Sequence, residues 1–309
     1  MVNRIRRWLR AGIGYLLYVT GVLVLFLWLL FPQETVRRAV EGELGQMWPA
    51  SSWRVGALTF ALPANLILHD VEGYDRGEQG RKLVGIDRLT LSVQPIASLR
   101  LRRLQAGCRI EMDKGTVDGF LSKSLSKNDV QVQGAFQAIN ITQLSFWQQA
   151  LGREVQGVAS GSFSVAVQDG TLSSLDVDLE VKNGRIGLKR PVLNHSTLPF
   201  TAITATLHGR GGALQIEHGL VKSELFDGRF SGMIRAHSPL LLSELDIEGE
   251  MDPQSDFFVG VENTLAFEAL HLQLKDKALP FKISGTLLDP GLHFQEYAVL
   301  FQKLEQELH

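Results

Sequence analysis

From about Trp53 onward, apolar and polar residues alternate along the chain with a period of two. Leu89, Leu91 and Val93 stand against Arg88, Thr90 and Ser92, and Val130, Val132 and Phe136 against Gln131, Gln133 and Ala135. Phe163, Val165 and Val167 alternate with Ser162, Ser164 and Ala166, and Leu175, Val177, Leu179 and Val181 with Asp176, Asp178, Glu180 and Lys182. Successive side chains of a strand point to opposite faces, so each run predicts a strand with one apolar and one wet face. Leu245 and Ile247 against Asp246 and Glu248, and Leu270, Leu272 and Leu274 against His271, Gln273 and Lys275, extend the series to Ile283 and Leu287.

Turn signals separate the runs: Asp169-Gly170, Asn183-Gly184, Gly211-Gly212, Asp227-Gly228 and Asp289-Pro290-Gly291. Asn-Gly and Asp-Gly favour the positive φ of tight hairpins, so successive strands are expected to pair antiparallel as a meander. A loose unit recurs in which glycine is followed two positions on by an aromatic or aliphatic residue, as in Gly161-Ser162-Phe163, Gly228-Arg229-Phe230 and Gly285-Thr286-Leu287. Helical periodicity is scarce. Val36, Val40, Leu44 and Met47 predict an amphipathic helix over residues 34–48, lying against the membrane or the entrance of the domain. Short helices are expected at 143–151 and 256–267. A C-terminal amphipathic helix at 294–308 runs through Tyr297, Leu300, Phe301, Leu304 and Leu308. Residues 185–199, with two prolines and Asn194-His195-Ser196, read as a loop and as the one place for a domain boundary.

The N-terminus has a different pattern. Arg4, Arg6, Arg7 and Arg10 precede residues 11–31, which carry no ionisable group except two tyrosines. A hydrocarbon core of ~30 Å needs roughly 20 apolar residues, whereas a secretory signal core is about 7–15 residues long and ends in small residues. This run ends in Trp28-Leu29-Leu30-Phe31-Pro32, so a retained transmembrane helix is predicted. Trp8, Tyr15 and Trp28 lie near its ends, where amphipathic rings favour the interface. The arginines place the N-terminus in the cytoplasm and the bulk of the chain outside, although Arg37 and Arg38 follow the span. The predicted layout is a cytoplasmic tip and anchor at 1–32, a linker helix at 33–52, a repetitive β domain at 53–292 and a C-terminal helix at 293–309.

Composition narrows the function. A formal net charge of −2 gives no basic surface for nucleic acid. The single cysteine, Cys108, excludes an intramolecular disulfide and reads as a half-buried strand residue. The eight histidines include no His-x-x-x-His pair that would set two imidazoles on one helical face for zinc. Gly209-Arg210-Gly211-Gly212 joins two strands and lacks Gly-Lys-Ser/Thr, so it reads as a hairpin turn. Gly157 to Gly161 misses the Gly-x-Ser-x-Gly elbow by one position. Asp176, Asp178 and Glu180 share a wet face and keep it soluble, with a weak calcium role as the alternative. Asn140-Ile141-Thr142 and Asn194-His195-Ser196 match glycosylation acceptors, which matters only in a eukaryotic secretory host. No nucleophile, base and stabiliser converge, so a non-enzymatic protein without cofactor or metal is expected.

A sheet with one apolar face needs that face covered. Either the sheet packs on another sheet as a sandwich, or it curls over an apolar ligand; a long groove starting at a bilayer suits acyl chains. The candidate lining is Phe163, Val165, Val167, Leu175, Val177, Leu179 and Val181.

The order of anchor, short helix, glycine-punctuated meander, Gly285-Thr286-Leu287-Leu288-Asp289-Pro290 and final helix resembles the type II secretion system protein N family. Leu207-His208-Gly209, Gly219 to Ser223, and Gly228 to Gly232 carry the resemblance most. It implies a bacterial inner-membrane protein facing the periplasm and associated with other secretion subunits. The chain is similar, more distantly, to AsmA-like and bridge-type lipid transfer proteins, which implies a curled β groove that carries phospholipid. A β edge that docks partner proteins by strand addition is the other reading.

Overall fold

The computed structural model describes Tyr15, Tyr18, Val19 and Val22 and, from Pro32 to Glu307, all residues but 48–50, 62–64, 77–79, 95–97, 99, 101, 125, 127–128, 145–151, 170, 238–239, 261–263 and 275–277. The predicted anchor, with Arg4, Arg6, Arg7, Trp8, Arg10 and Trp28, lies outside the described residues; Tyr15 is helical and exposed. Among the described residues no helix is long and apolar enough to cross a membrane. Most of the helix expected at 143–151 also lies outside them.

The protein is mainly β: one antiparallel sheet of 14 strands in strict chain order, β1 to β14, with few helices. Each strand pairs with its chain neighbours and β1 does not pair with β14, so the sheet is open at both edges. It runs without a break from β1 (Ser51–Ala61) to β14 (Pro290–His293). A sandwich of two sheets is therefore not the architecture.

The alternating runs form strands as expected, including β7 (Val155–Gln168) and β8 (Thr171–Val192). Three expectations about turns and loops fail. Asn183-Gly184 is not a hairpin turn: Asn183 takes φ +49 at a bulge inside β8, and the strand continues to Val192. Asp227-Gly228 lies within β11 (Phe226–Arg235), and the turn falls just before it. Residues 185–199 are neither loop nor boundary, because they form the outer part of the hairpin of β8 and β9 (His195–Arg210). Elsewhere the turns fall where the glycines predict, as at Gly211 and Gly212, both at positive φ.

Helix α1 (Gln33–Met47) lays Val36, Val40 and Leu44 on Val55, Leu58, Leu68 and Val71, the buried residues of β1 and β2 (Asn65–Asp75). It ends five residues before the predicted linker does, and β1 begins at Ser51. At the other end, residues 256–267 do not form one helix. A 3-10 turn at Ser255–Phe258 is followed by helix α2 (Leu265–Leu274). Residues 270–274, expected as a strand, are thus the end of this helix. Leucine at every second position fits either period, but Ala266, Leu270 and Leu274, four apart, are the buried residues, and Leu272 stays exposed. Helix α3 (Ala298–Glu307) buries Phe301 and Leu304 in the same cluster as α2 and β11 to β14.

Candidate functional site: the apolar face of the sheet

Strand register turns the period-two pattern into continuous rows. Leu91 of β3 (Lys82–Val93) pairs with Cys108 of β4 (Arg103–Met112), which pairs with Gly119 of β5 (Gly115–Ser124). The row continues through Gly134 of β6 (Asp129–Asn140), Phe163 of β7, Val177 of β8 and Leu207 of β9. Val165 pairs with Leu175 in the next row, Leu179 with Gly161, and Val181 with Ala159. Val167 pairs with Leu172. All seven sequence-predicted lining residues thus stand on one face. Phe163, Val165, Val167, Leu175, Val177 and Leu179 are half-buried there, and Val181 is buried.

The two ends of this face are covered. Helix α1 sits over β1 to β3, and α2, α3 and the 3-10 turn sit over β11 to β14. From β4 to β10 the clusters hold side chains of the sheet, joined by Ile141 and Leu144 in and after the 3-10 turn that follows β6 and by Leu287 of the β13–β14 turn. Among the described residues no α-helix joins them.

Sequence reasoning missed what shapes the floor. Glycines stand directly across from phenylalanines on neighbouring strands: Gly134 from Phe163, Gly161 from Phe136, Gly219 from Phe230, and Gly249 from Phe281. A Cβ on Gly134 or Gly161 would meet the Cζ of its partner ring at 2.7 Å, and one on Gly219 would run into the Phe230 ring. The rings therefore lie along the sheet over neighbouring backbone instead of standing up from it. The floor is apolar and low in relief. The glycine-x-aromatic spacing was the visible signal, but the partner is on the next strand, not two residues along.

The opposite face is a lattice of exposed cross-strand ion pairs. Arg109 meets Asp118 at 2.6 Å, Arg229 meets Glu250 at 3.2 Å, and Lys282 bridges Asp246 at 2.9 Å and Glu248 at 2.8 Å. Hydrogen bonding to Asp246 and Glu248 raises the Lys282 pKa, and the same bond lowers that of Asp246. Asp178 accepts from Thr206 at 3.1 Å, and Asp176 holds His208 Nδ1 at 2.7 Å. His208 and His218 do not pair across their hairpin; His208 faces Gln215 and His218 faces Thr206. A depression of about 550 Å³ on this face is lined by Asp118, Phe120, Gln133, Ser162, Asp176 and Asp178, and its carboxylates already have partners. Among the described residues no group of three or more His, Cys, Asp or Glu side chains could hold a metal ion.

The hydrogen bond that His208 Nδ1 donates to Asp176 raises the His208 pKa above its ordinary 6.5. The protonated imidazole then favours the folded sheet below that ordinary value, and the contribution is lost as pH rises through the raised folded-state value. Histidine-selective NMR should show His208 titrating above 6.5, and Asp176→Asn should lower its midpoint. An unshifted His208 in the unsubstituted protein would remove the pair.

Comparison with protein-family models, curated proteins and solved structures returns no match.

Proposed function

We propose that the chain is a non-enzymatic, inner-membrane-anchored periplasmic accessory subunit of a type II secretion or envelope-assembly system, working through an apolar groove that accommodates phospholipid. The observation that carries this reading is the apolar face between β4 and β10, over which no α-helix sits among the described residues, whereas an antiparallel sheet in water needs such a face covered. The glycine-flattened floor suits flexible chains, because it offers dispersion contact along its length without pockets that select a shape. An AsmA-like lipid carrier acting apart from secretion uses the same groove and is the alternative. Docking by strand addition has less support, since both sheet edges are blunted. Val55 of β1 gives its N–H to Glu41 of α1 at 2.9 Å, and β14 is four residues long and opens with Pro290.

The lone thiol offers a test. Cys108 lies in the groove row, and burial raises its pKa, so it should be alkylated faster near pH 9 than at pH 7. With an environment-sensitive fluorophore on Cys108 of the full chain, phospholipid vesicles should shift emission to the blue, and Val177→Lys should abolish the shift. An unchanged spectrum with vesicles present overturns the groove.

A further inference from the structure

The hairpin of β8 and β9 extends well past its neighbours. β7 pairs with β8 as far as Ile186, and β10 (Ala213–Lys222) pairs with β9 as far as Ala202, yet the hairpin turn lies at Leu193 and Asn194. Its tip does not project into solvent. Val192, Leu193 and Leu198 pack into the cluster formed by the apolar face of β11 to β14. Asn194 donates to the Val259 carbonyl at 3.0 Å, and His195 Nε2 meets the Phe257 carbonyl at 3.1 Å. Lys189 donates to the Leu288 carbonyl, and Arg153, beside the base of the tip, donates to that of Leu287 at 3.0 Å.

These anchors lie on opposite rims. Register sets Glu244 of β12 (Glu244–Pro253) beside Thr286 of β13 (Leu279–Thr286), so residues 287 and 288 follow one end of the pair, while 257 and 259 follow the other. The hairpin tip therefore straps the sheet across its apolar face, rim to rim. Leu193 holds the first central position of a two-residue turn at φ +51, where glycine is favoured, and its side chain is buried in the cluster. With α1 over β1 to β3, both ends of the face are stopped.

We infer that the groove is a closed-ended cradle for acyl chains, loaded through its open side and not threaded from end to end. This rests on the lipid reading above. Among the described residues, the stretch that neither α1 nor the C-terminal cover and strap reaches runs from β4 to β10, six strand spacings, or about 29 Å at ~4.8 Å each. One acyl chain needs about 15 Å, half of a bilayer core of ~30 Å, so a chain lies lengthwise between the two stops. Its ligand is diacyl lipid.

Photocrosslinking of the full chain in its membrane separates the outcomes. p-Benzoylphenylalanine in place of Phe163 reports the open stretch; in place of Phe281, or of half-buried Ile283 should the first not fold, it reports the strapped end. Lipid adducts are expected at 163 and none above background at 281 or 283. In R153A/K189A/L193G, which loosens the strap, adducts should appear at the strapped positions. Equal adducts at both ends of the unmodified groove, or adducts confined to the strapped end, would overturn the closed cradle while leaving the lipid reading intact. No change on loosening the strap would overturn its role as the stop. No adduct at any position would overturn the lipid reading itself.

Discussion

Phe257→Ala should be the most damaging single substitution at the C-terminal end, costing about 3–5 kcal/mol, the range for truncating a buried phenylalanine. The side chain is 2% exposed. Its ring meets Phe226 and Phe258 edge-on, with centroids at 6.1 and 5.2 Å, and stacks on His195 of the strap at 5.8 Å. The cavity would loosen two unlike structures at once, the helical cover and the hairpin tip. Because each strand is laddered only to its chain neighbours, the loss should stay within this end and the β8–β9 tip packed on it, as it does in repeat architectures. Urea unfolding is expected to split, with an early step for β11 to β14 and the helices and an unshifted step for the rest. Hydrogen exchange should show β1 to β5 protected as before. A single transition displaced as a whole would mean that the sheet unfolds as one unit.

Gly219→Val should be the second largest, about 2–3 kcal/mol, within the range for forcing added volume into a packed site. Its Cβ would enter the Phe230 ring, which lies across the strand from it. The size of the effect should depend on that ring. In a Phe230→Leu background the same substitution should cost less, with a coupling of about 1–2 kcal/mol, as expected for residues in direct contact. Equal costs in both backgrounds, measured by denaturant midpoints, would place the strain in the backbone and remove the ring's part in shaping the floor.

The legible parts of the fold were those encoded by neighbours in sequence. Leu175 to Val181 against Asp176 to Lys182 declares a strand with two unlike faces, and register then aligns such strands into rows with no further information. The helix α1 was legible in the same way, through Val36, Val40 and Leu44. What failed was local punctuation whose meaning depends on distant partners. Asn183-Gly184 has the chemistry of a hairpin turn, but here the positive φ of Asn183 falls at a bulge in a strand that β7 and β9 pair on either side. Pro191 and Pro199 suggested a loop, but they lie in the part of the hairpin that has outrun its neighbouring strands, where a missing N–H leaves no ladder bond unmade. Leu270, Leu272 and Leu274 fit both periods, and burial against α3 and β13 selected the helix.

The candidate site divides along the same line. That the seven named residues share one face could be read because alternation alone assigns a face. That α1 and the strap stop the two ends could not be, since Lys189 and Leu288 are far apart in the chain and neither carries a mark of the contact. The same holds for the glycine and phenylalanine partners, which are chosen by register.

The strict chain order of the strands also bears on how the protein comes to exist. Contacts between sequence neighbours close small loops, which keeps the entropy of forming them low and lets structure grow from whichever end is available first. A chain emerging N-terminus first can add strands to a finished edge one at a time, with α1 already seated as the starting surface. The β8–β9 hairpin is then made before the carbonyls of Phe257, Val259, Leu287 and Leu288 exist, and its tip must wait for them. Maturation of the protein ends with an event between its middle and its tail, and until the last strands arrive the growing face is stopped only at its α1 end.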